Sequence, residues 1–533
     1  MKGFKKKGKF SSKPQKPTQA IKLSIGEINA EHLDDTLSLE GFVEKVQQTA
    51  GPTIFFISDG TGTLSIKGFV GAGERAYPEI DEGDAVKTIV KVNEFRDAIE
   101  GEISNIKKLT ESETDYLKKN MKEIERRRAE VKFTSFMIKS EILEKLKPRF
   151  IKAATEIKLA IIQNRPIIIR HHNDADGYSS GFSLERAIVP LIAKQHGGGK
   201  SPWEYYTRAP CQAPFYEIED SIRDTAHSLS NEAKFSNKMP LIIIADNGSS
   251  QEDLLGISQG LVHGIDFIVI DHHVFDEDVI SDKTLVHINP FLVGESGEQY
   301  SAGMLCSELA KIINPEATVE PIPALAGLAD RIKNPDALEQ YLAIAKQKGY
   351  SKEMLSQIAS VIDFVSAKVR FMEVREYIEV LFGEPMEKQK ALVSLLGPYI
   401  SNLEVKGLKI AKSASTTEKI NNITLQLLPI EENFRRGFYP KPGKVTGILH
   451  DSLQTEKKLD SVVTAGILND AITMRATDKA NFSVHGLIAH LNKKLPEAFV
   501  EGGGHKNAGA ITFTPAKKDL ILQEIRAYIK SIK

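Results

Sequence analysis

Thiols are nearly missing from this chain: Cys211 and Cys306 are the only cysteines in 533 residues, and they stand far apart. They cannot form a disulfide framework, and they match no zinc spacing. A reduced, cytoplasmic setting is the expectation, and any metal must be held by Asp and His. Long hydrophobic runs are missing too. A membrane-spanning helix needs ~18 or more consecutive apolar residues, and none exists, so no membrane contact is expected. The lysine-rich N-terminus lacks the apolar segment of a secretory signal. An excess of one charge is also lacking, with a net charge of −1. That balance hides an asymmetry: Lys2, Lys5, Lys6, Lys7, Lys9, Lys13, Lys16 and Lys22 all precede the first acid, Glu27. Residues 1–30 read as a disordered basic tail, either a solubilising extension or a contact for phosphates.

A chain of 533 residues exceeds one hydrophobic core and implies three or four domains. Residues 31–105 are strand-rich. Thr53, Phe55 and Ile57 alternate with Ile54, Phe56 and Ser58, the period of a strand. Asp59-Gly60-Thr61-Gly62 marks a tight hairpin before Leu64. Several short strands in so short a stretch predict a small closed β-barrel. The stretch "FFISDGTGTLSIKGF" resembles an OB-fold nucleic-acid-binding domain. That resemblance makes Phe55, Phe56 and Phe69 candidates for stacking on bases; the alternative is that they fill the barrel.

Residues 106–165 read as a helical linker. Thr110 and Glu113 fit a capping box, and Leu117, Met121, Ile124 and Val131 keep helical spacing. Arg126, Arg127 and Arg128 fall on its exposed face. Pro148 is expected to break the helix, with a second one carrying Ile151, Ala154, Ile157 and Ile161 up to Pro166. Beyond Pro166, short strands apolar throughout recur at Ile167–Ile169, Leu241–Ala245, Phe267–Ile270 and Val286–Ile288, with amphipathic helices between several of them. This pattern predicts an α/β fold with a parallel sheet covered on both faces. Residues 341–400 read as a helical connector and 401–533 as a second α/β domain. No internal repeat is found.

Three of these apolar strands run into ionisable residues. His171-His172-Asn173-Asp174-Ala175-Asp176-Gly177 follows the first, Asp246-Asn247-Gly248-Ser249 the second and Asp271-His272-His273 the third; Asp330 follows a later apolar stretch. Ligands bind beyond the carboxyl ends of parallel strands. A single Asp there is commonly a helix cap or turn residue, but four clusters in chain order are not explained that way. Carboxylates gathered at one sheet edge repel one another unless cations offset them. Asp oxygen with His nitrogen suits Mn²⁺ or Mg²⁺. About five Asp and two or three His fit two ions some 3.5–4 Å apart, roughly the two-metal arrangement of phosphoester hydrolysis.

Asp271-His272-His273 is the signature of the DHH phosphoesterase superfamily, and "HNDADG", "DNG", "DHH" and "GLAD" resemble its four motifs in order. "GGGHKNAGA" at 502–510 resembles the glycine-rich signature of the accessory DHHA1 domain. The match spans residues 166–533 and is nearest to the RecJ-like exonucleases, in the archaeal branch that bears an OB-fold. It implies a DHH catalytic domain over 166–340 and a DHHA1 substrate-binding domain over 401–533. It also implies that His172, Asp174, Asp176, Asp246, His272 and Asp330 hold two divalent ions, Mn²⁺ or else Mg²⁺, with Asp246 bridging them. His172 takes a position that is Asp in bacterial RecJ. Asp271 would orient a histidine, and His273 would contact the scissile phosphate. Arg475, Gly503, Gly504 and His505 would hold the substrate phosphate or 3′-terminal region.

One departure bears on substrate. The small-substrate DHH enzymes place a His four residues before the first metal Asp, where this chain has Arg170. The resemblance therefore implies stepwise hydrolysis of single-stranded DNA or RNA to nucleoside monophosphates, in DNA repair or replication. Polarity stays open, with 3′→5′ favoured. Two rivals remain: a DHH phosphodiesterase for short oligoribonucleotides or dinucleotides, and a non-catalytic partner of a helicase or replisome protein.

Overall fold

Period-2 patterning puts alternate residues of the N-terminal strands inside a barrel. The structure, a computed structural model, describes residues 20–532 except 96–97, 197–200, 212, 236–237, 276 and 370–374. The lysines expected in a basic tail from Lys2 to Lys16 lie outside the described residues. Two compact units emerge, residues 1–130 and 131–533.

In the first unit, β1 (Ile21–Lys22) pairs with β2 (Thr36–Gln48), which continues through β3 (Thr53–Ser58), β4 (Thr63–Gly68), β6 (Ala98–Lys108) and β5 (Ala85–Phe95). Antiparallel pairing of β2 with β5 closes the barrel. Leu37, Leu39, Val43, Phe55, Ile57, Ile66, Val86, Val90 and Ile106 fill it. The β3–β4 hairpin turns on the Asp59 carboxylate, which accepts from the Thr61 and Gly62 amides at 2.8 and 3.2 Å. Strand parity corrects one expectation. Phe55 points inward, is fully buried and packs edge-on against Tyr77, so it offers no face to a base. Phe56 is half-buried and Phe69 is exposed.

The expected linker is not one piece. Helix α1 (Glu111–Ala129) belongs to the barrel unit, where Leu117 and Met121 pack on Ala85 and Phe42. Glu113 caps it, accepting from the Thr110 amide at 2.9 Å. Helix α2 (Glu141–Ile162) belongs to the second unit. Pro148 sits inside α2 and does not end it. The buried stripe Leu143, Leu146, Phe150, Ala153 and Ile157 holds both sides of the proline to the core and offsets the one lost helical hydrogen bond.

The second unit is built on a five-stranded parallel sheet in the order β11 (Val286–Ile288), β10 (Asp266–Ile270), β9 (Leu241–Ala245), β7 (Ile167–His171), β8 (Tyr206–Pro210). Edge strand β8 carries Thr207 and Arg208, which break the apolar pattern and hide it from sequence reading. Ile167, Ile169, Leu241, Ile243, Ile268 and Ile270 face one core, packed by α2, α3 (Ala175–Gln195) and α7 (Ala302–Ile313). Ile168, Ile242, Ile244, Phe267 and Val269 face the other, over α6 (Asp253–Val262). Burial on both faces is why these strands are apolar at every position. Helices α4 (Ser201–Tyr205) and α5 (Ile218–Phe235) lie between β7 and β9 in the chain.

Helices α8 (Ile322–Ala329), α9 (Pro335–Gln347), α10 (Lys352–Lys368), α11 (Arg375–Leu381) and α12 (Met386–Ala414) follow. The expected connector boundary at residue 400 falls within α12, and Ile358, Ile362, Val393 and Ile400 share the core of the parallel sheet. The C-terminal domain has a mixed sheet ordered β12 (Thr416–Ile420), β13 (Ile423–Pro429), β14 (Val462–Ile467), β15 (Ala471–Ala476), β17 (Ala508–Thr512), β16 (Glu501–His505). Its helices are α13 (Ile430–Asn433), α14 (Pro442–Lys457), α15 (Val484–Lys494) and α16 (Lys518–Ser531). Among the described residues no helix is long and apolar enough to cross a membrane.

Candidate metal centre and active site

The carboxyl ends of β7, β9 and β10 lie side by side, because the ladder continues one residue past each strand. The Asp246 amide donates to Ile270 O and the Asp271 amide to Ile288 O, both at 2.9 Å. Asp246 then turns into the left-handed region at φ 62°, which a short polar side chain tolerates best after glycine. Asp174 caps α3, accepting from the Gly177 amide at 2.9 Å. Asp176, in the first turn of α3, accepts from the amides of Ala302 and Gly303 at the start of α7, at 2.9 and 3.0 Å. Asp330 ends α8.

These elements bring all six expected ligands together. His172 Nδ1 is 3.1 Å from Asp174 and 3.6 Å from Asp246. His272 Nε2 is 3.3 Å from Asp246, 3.6 Å from Asp330 and 3.9 Å from Asp176. Asp246 thus lies between the two histidines. Asp271 borders this group, with a carboxylate oxygen within 4.8 Å of Asp246 and of His273. Its Oδ1 accepts from the amides of His272 and His273 and from His273 Nδ1–H at 2.8 Å.

Electrostatics follow from the crowding. Burial, then the carboxylates of Asp246 and Asp330, push the Asp176 acid well above its ordinary range. Burial pushes Asp330 up to about 6. Burial works against the imidazolium of His272, but Asp330 and Asp246 override it and raise its pKa well above normal. His172 is raised in the same way by Asp174 and Asp246. Protons therefore supply the positive charge that this cluster demands. Two buried atoms, Asp246 Oδ2 and His272 Nε2, have no hydrogen-bond partner. Orphaned polar atoms at this depth are rare, and Asp246 and His272 would be satisfied by holding a cation. The donor set, oxygen and imidazole with no thiolate, fits a divalent ion, and both cysteines are buried.

A cavity of about 1250 Å³ opens over the cluster, lined by His172, Asp174, Asp176 and Asp330. Arg475, His505, Asn507, Lys441 and Lys444, from the C-terminal part of the chain, also line it. The His505 ring stacks on His273 with centroids 4.9 Å apart and lies 5.2 Å from His272. Burial, then the charges of His273 and His272, hold the His505 pKa well below normal, so it is neutral. Gly503 and Gly504, expected as phosphate contacts, do not line this cavity. They shape the β16–β17 hairpin: Gly504 has φ 119°, and a side chain on Gly503 would press on Phe215 at 3.1 Å. Lys441 and Lys444 were not singled out in the sequence. Lys441 Nζ donates to Asn173 O at 3.1 Å, next to the first motif. Their signal was "KPGK", a proline at a helix start between two lysines.

The family model for the DHH family, N-terminal domain, matches residues 166–329. An uncharacterised protein of Methanocaldococcus jannaschii is 34% identical, over 97% of this chain and 71% of its own length. A solved DHH-domain structure, described as a member of the S1p family of ribosomal proteins, is 35% identical with a TM-score of 0.75, covering 80% of this chain and 100% of that one. The chain belongs to the DHH family. As a DHH protein it is a phosphoesterase by family, and the sequence motifs and the assembled carboxylates agree. RecJ of Thermus thermophilus in complex with Mn²⁺ shares the fold at 18% identity, with a TM-score of 0.51 over 72% of this chain and 55% of that one.

Proposed function

We propose that this DHH protein is a divalent-metal-dependent exonuclease that shortens single-stranded DNA or RNA to nucleoside monophosphates. The observation that carries the reading is the cavity. Its lining joins the acidic cluster of Asp174, Asp176 and Asp330, which can hold cations, to the cationic groups Arg475 and Lys441. At about 1250 Å³ it exceeds the roughly 300–1,000 Å³ common for small-molecule pockets. That size suits the end of a strand better than a single small ligand.

Ions held by His172, Asp174, Asp176, Asp246, His272 and Asp330, with Mn²⁺ or Mg²⁺ fitting the donors, would supply Lewis-acid charge to the phosphoryl oxygens and raise the acidity of the attacking water. The protein's own groups do the rest. Burial opposes a charged His273, but the Asp271 carboxylate overrides it and raises its pKa. His273 thus keeps a proton to donate to a phosphate oxygen as negative charge develops. Arg475 offers a planar fork to a neighbouring phosphate, and neutral His505 stacks behind His273 and holds its ring plane. The barrel supplies a surface for the incoming strand, with Phe69 and Phe56 available for stacking.

The test is product analysis on single-stranded DNA and RNA oligonucleotides labelled at either end, with Mn²⁺, Mg²⁺ or EDTA. The control replaces Asp271 and His272 together by Ala. A metal-dependent ladder down to mononucleotides, lost in the control, is the expected result and gives polarity and sugar preference together. Hydrolysis of dinucleotides with long strands untouched would overturn it in favour of a small-substrate phosphodiesterase. No hydrolysis at all would leave a binding protein.

A further inference from the structure

Behind the DHH triplet lies a second polar cluster, and its hydrogen bonding is the reverse of the metal centre's. Where Asp246 Oδ2 and His272 Nε2 are orphaned, the side-chain polar atoms of Ser249, Asn289 and His287 all have partners. Ser249 follows β9, His287 lies on β11 and Asn289 follows it; all three are buried. The Ser249 amide donates to Asp271 Oδ2 at 3.2 Å. Asn289 Nδ2 has two protons and spends both, one on Ser249 Oγ and one on the carbonyl of His273, each at 3.0 Å. Its Oδ1 accepts from the Phe291 amide at 3.1 Å. A flipped amide would set donor against donor there, so the orientation is determined.

Ser249 Oγ accepts from Asn289 and lies 2.9 Å from His287 Nε2. The other ring nitrogen of His287, Nδ1, faces Ser281 Oγ at 3.0 Å and Asp278 at 3.6 Å. Burial pushes the His287 pKa down to about 4, so the ring is neutral. A hydrogen-bonded path runs from Asp278 and Ser281 through His287 to Ser249 and Asn289. It ends on both partners of the Asp271–His273 pair.

We propose that Ser249 and Asn289, locked by His287, are positioning residues that fix the Asp271 carboxylate and the His273 backbone, and so set where His273 Nε2 meets the scissile phosphate. None of the three belongs to the metal-binding set, and none touches the cavity. The inference deepens the exonuclease reading and rests on it only for its kinetic arm.

The experiment compares full-length wild type with Asn289→Ala, Asn289→Asp and Ser249→Ala. Loss of such supporting contacts is expected to lower kcat by about 10- to 100-fold while KM and the Mn²⁺ affinity measured by calorimetry stay within about twofold. A proportional loss of Mn²⁺ affinity and melting temperature would mean a general packing role and overturn the proposal. So would unchanged kcat in an active wild type. The second arm needs no activity. The His273 Nδ1–H, shielded by Asp271, should give a slowly exchanging imidazole resonance in ¹⁵N-histidine-labelled wild type. It should shift or vanish in the Asn289 and Ser249 variants. An unperturbed resonance overturns the clamp even if the protein hydrolyses nothing, and inactive wild type with a perturbed resonance overturns only the exonuclease reading.

Discussion

At the residue scale, the cluster is a set of acids that cannot all be charged at once without help. Asp246 touches both histidines of the centre. Asp246→Ala is expected to lower Mn²⁺ affinity, read by calorimetry, by more than about 100-fold, since lost supporting contacts alone cost 10–100-fold. The pH dependence has a definite sign. Asp330 has a native pKa raised to about 6, against about 3.9 in an unfolded chain. Metal-free protein therefore loses stability as pH rises through that window, because the native state must give up a proton that the unfolded state has already lost. His272, also raised, must likewise lose its proton before it can bind an ion. Metal binding thus releases protons, and the gain in melting temperature on adding Mn²⁺ should be small near pH 5 and grow toward pH 7. A gain independent of pH would show that these groups do not bind the ion.

At the scale of elements, two close approaches hold the motif loops. A Cβ on Gly297 would lie 1.7 Å from the carbonyl oxygen of His272, and one on Gly177 would lie 2.0 Å from that of His172. Backbone opposes backbone at both places, so neither clash is relieved by a rotamer change. Gly297→Ala is expected to lower unfolding free energy by about 1–3 kcal/mol and to cut metal-dependent hydrolysis, because the displaced carbonyl belongs to a ligand. Thermal melts with and without Mn²⁺ check this. Pro148 tells the opposite story. A breaker in isolation, it is carried inside α2 by the packing on either side. Pro148→Ala should restore a hydrogen bond and raise stability; a fall would mean that the ring itself is a packing element.

At the scale of the whole molecule, the chain divides at residues 130 and 131. A chain starting at residue 131 should fold and hydrolyse short strands, while its KM for long ones should rise about 10- to 100-fold as the linked binding surface is lost. A chain starting at residue 106 should be poorly soluble, because it keeps α1 but strips away Ala85 and Phe42, which cover Leu117 and Met121. Equal KM values for long and short strands in the full chain would remove the barrel from the reaction.

Much of this was legible in the sequence for physical reasons. Buried parallel strands must be apolar at every position, so β7, β9, β10 and β11 announce themselves. Clusters of ionisable residues directly after three of them point to a site at the sheet's edge, and the family resemblance then named Asp174, Asp176, Asp246 and His272 as ligands. Strand alternation likewise predicted the barrel. It did not tell inside from outside, which is why Phe55 was a candidate until its burial was seen. Tertiary structure alone decided the rest. Whether Pro148 breaks a helix depends on the surfaces packed against it. The cationic lining of the cavity, with Lys441 and Lys444, and the clamp of Ser249, His287 and Asn289 depend on residues that carry no motif. Local periodicity reports which side of an element is buried, whereas a site assembled from many elements exists only once the chain has folded.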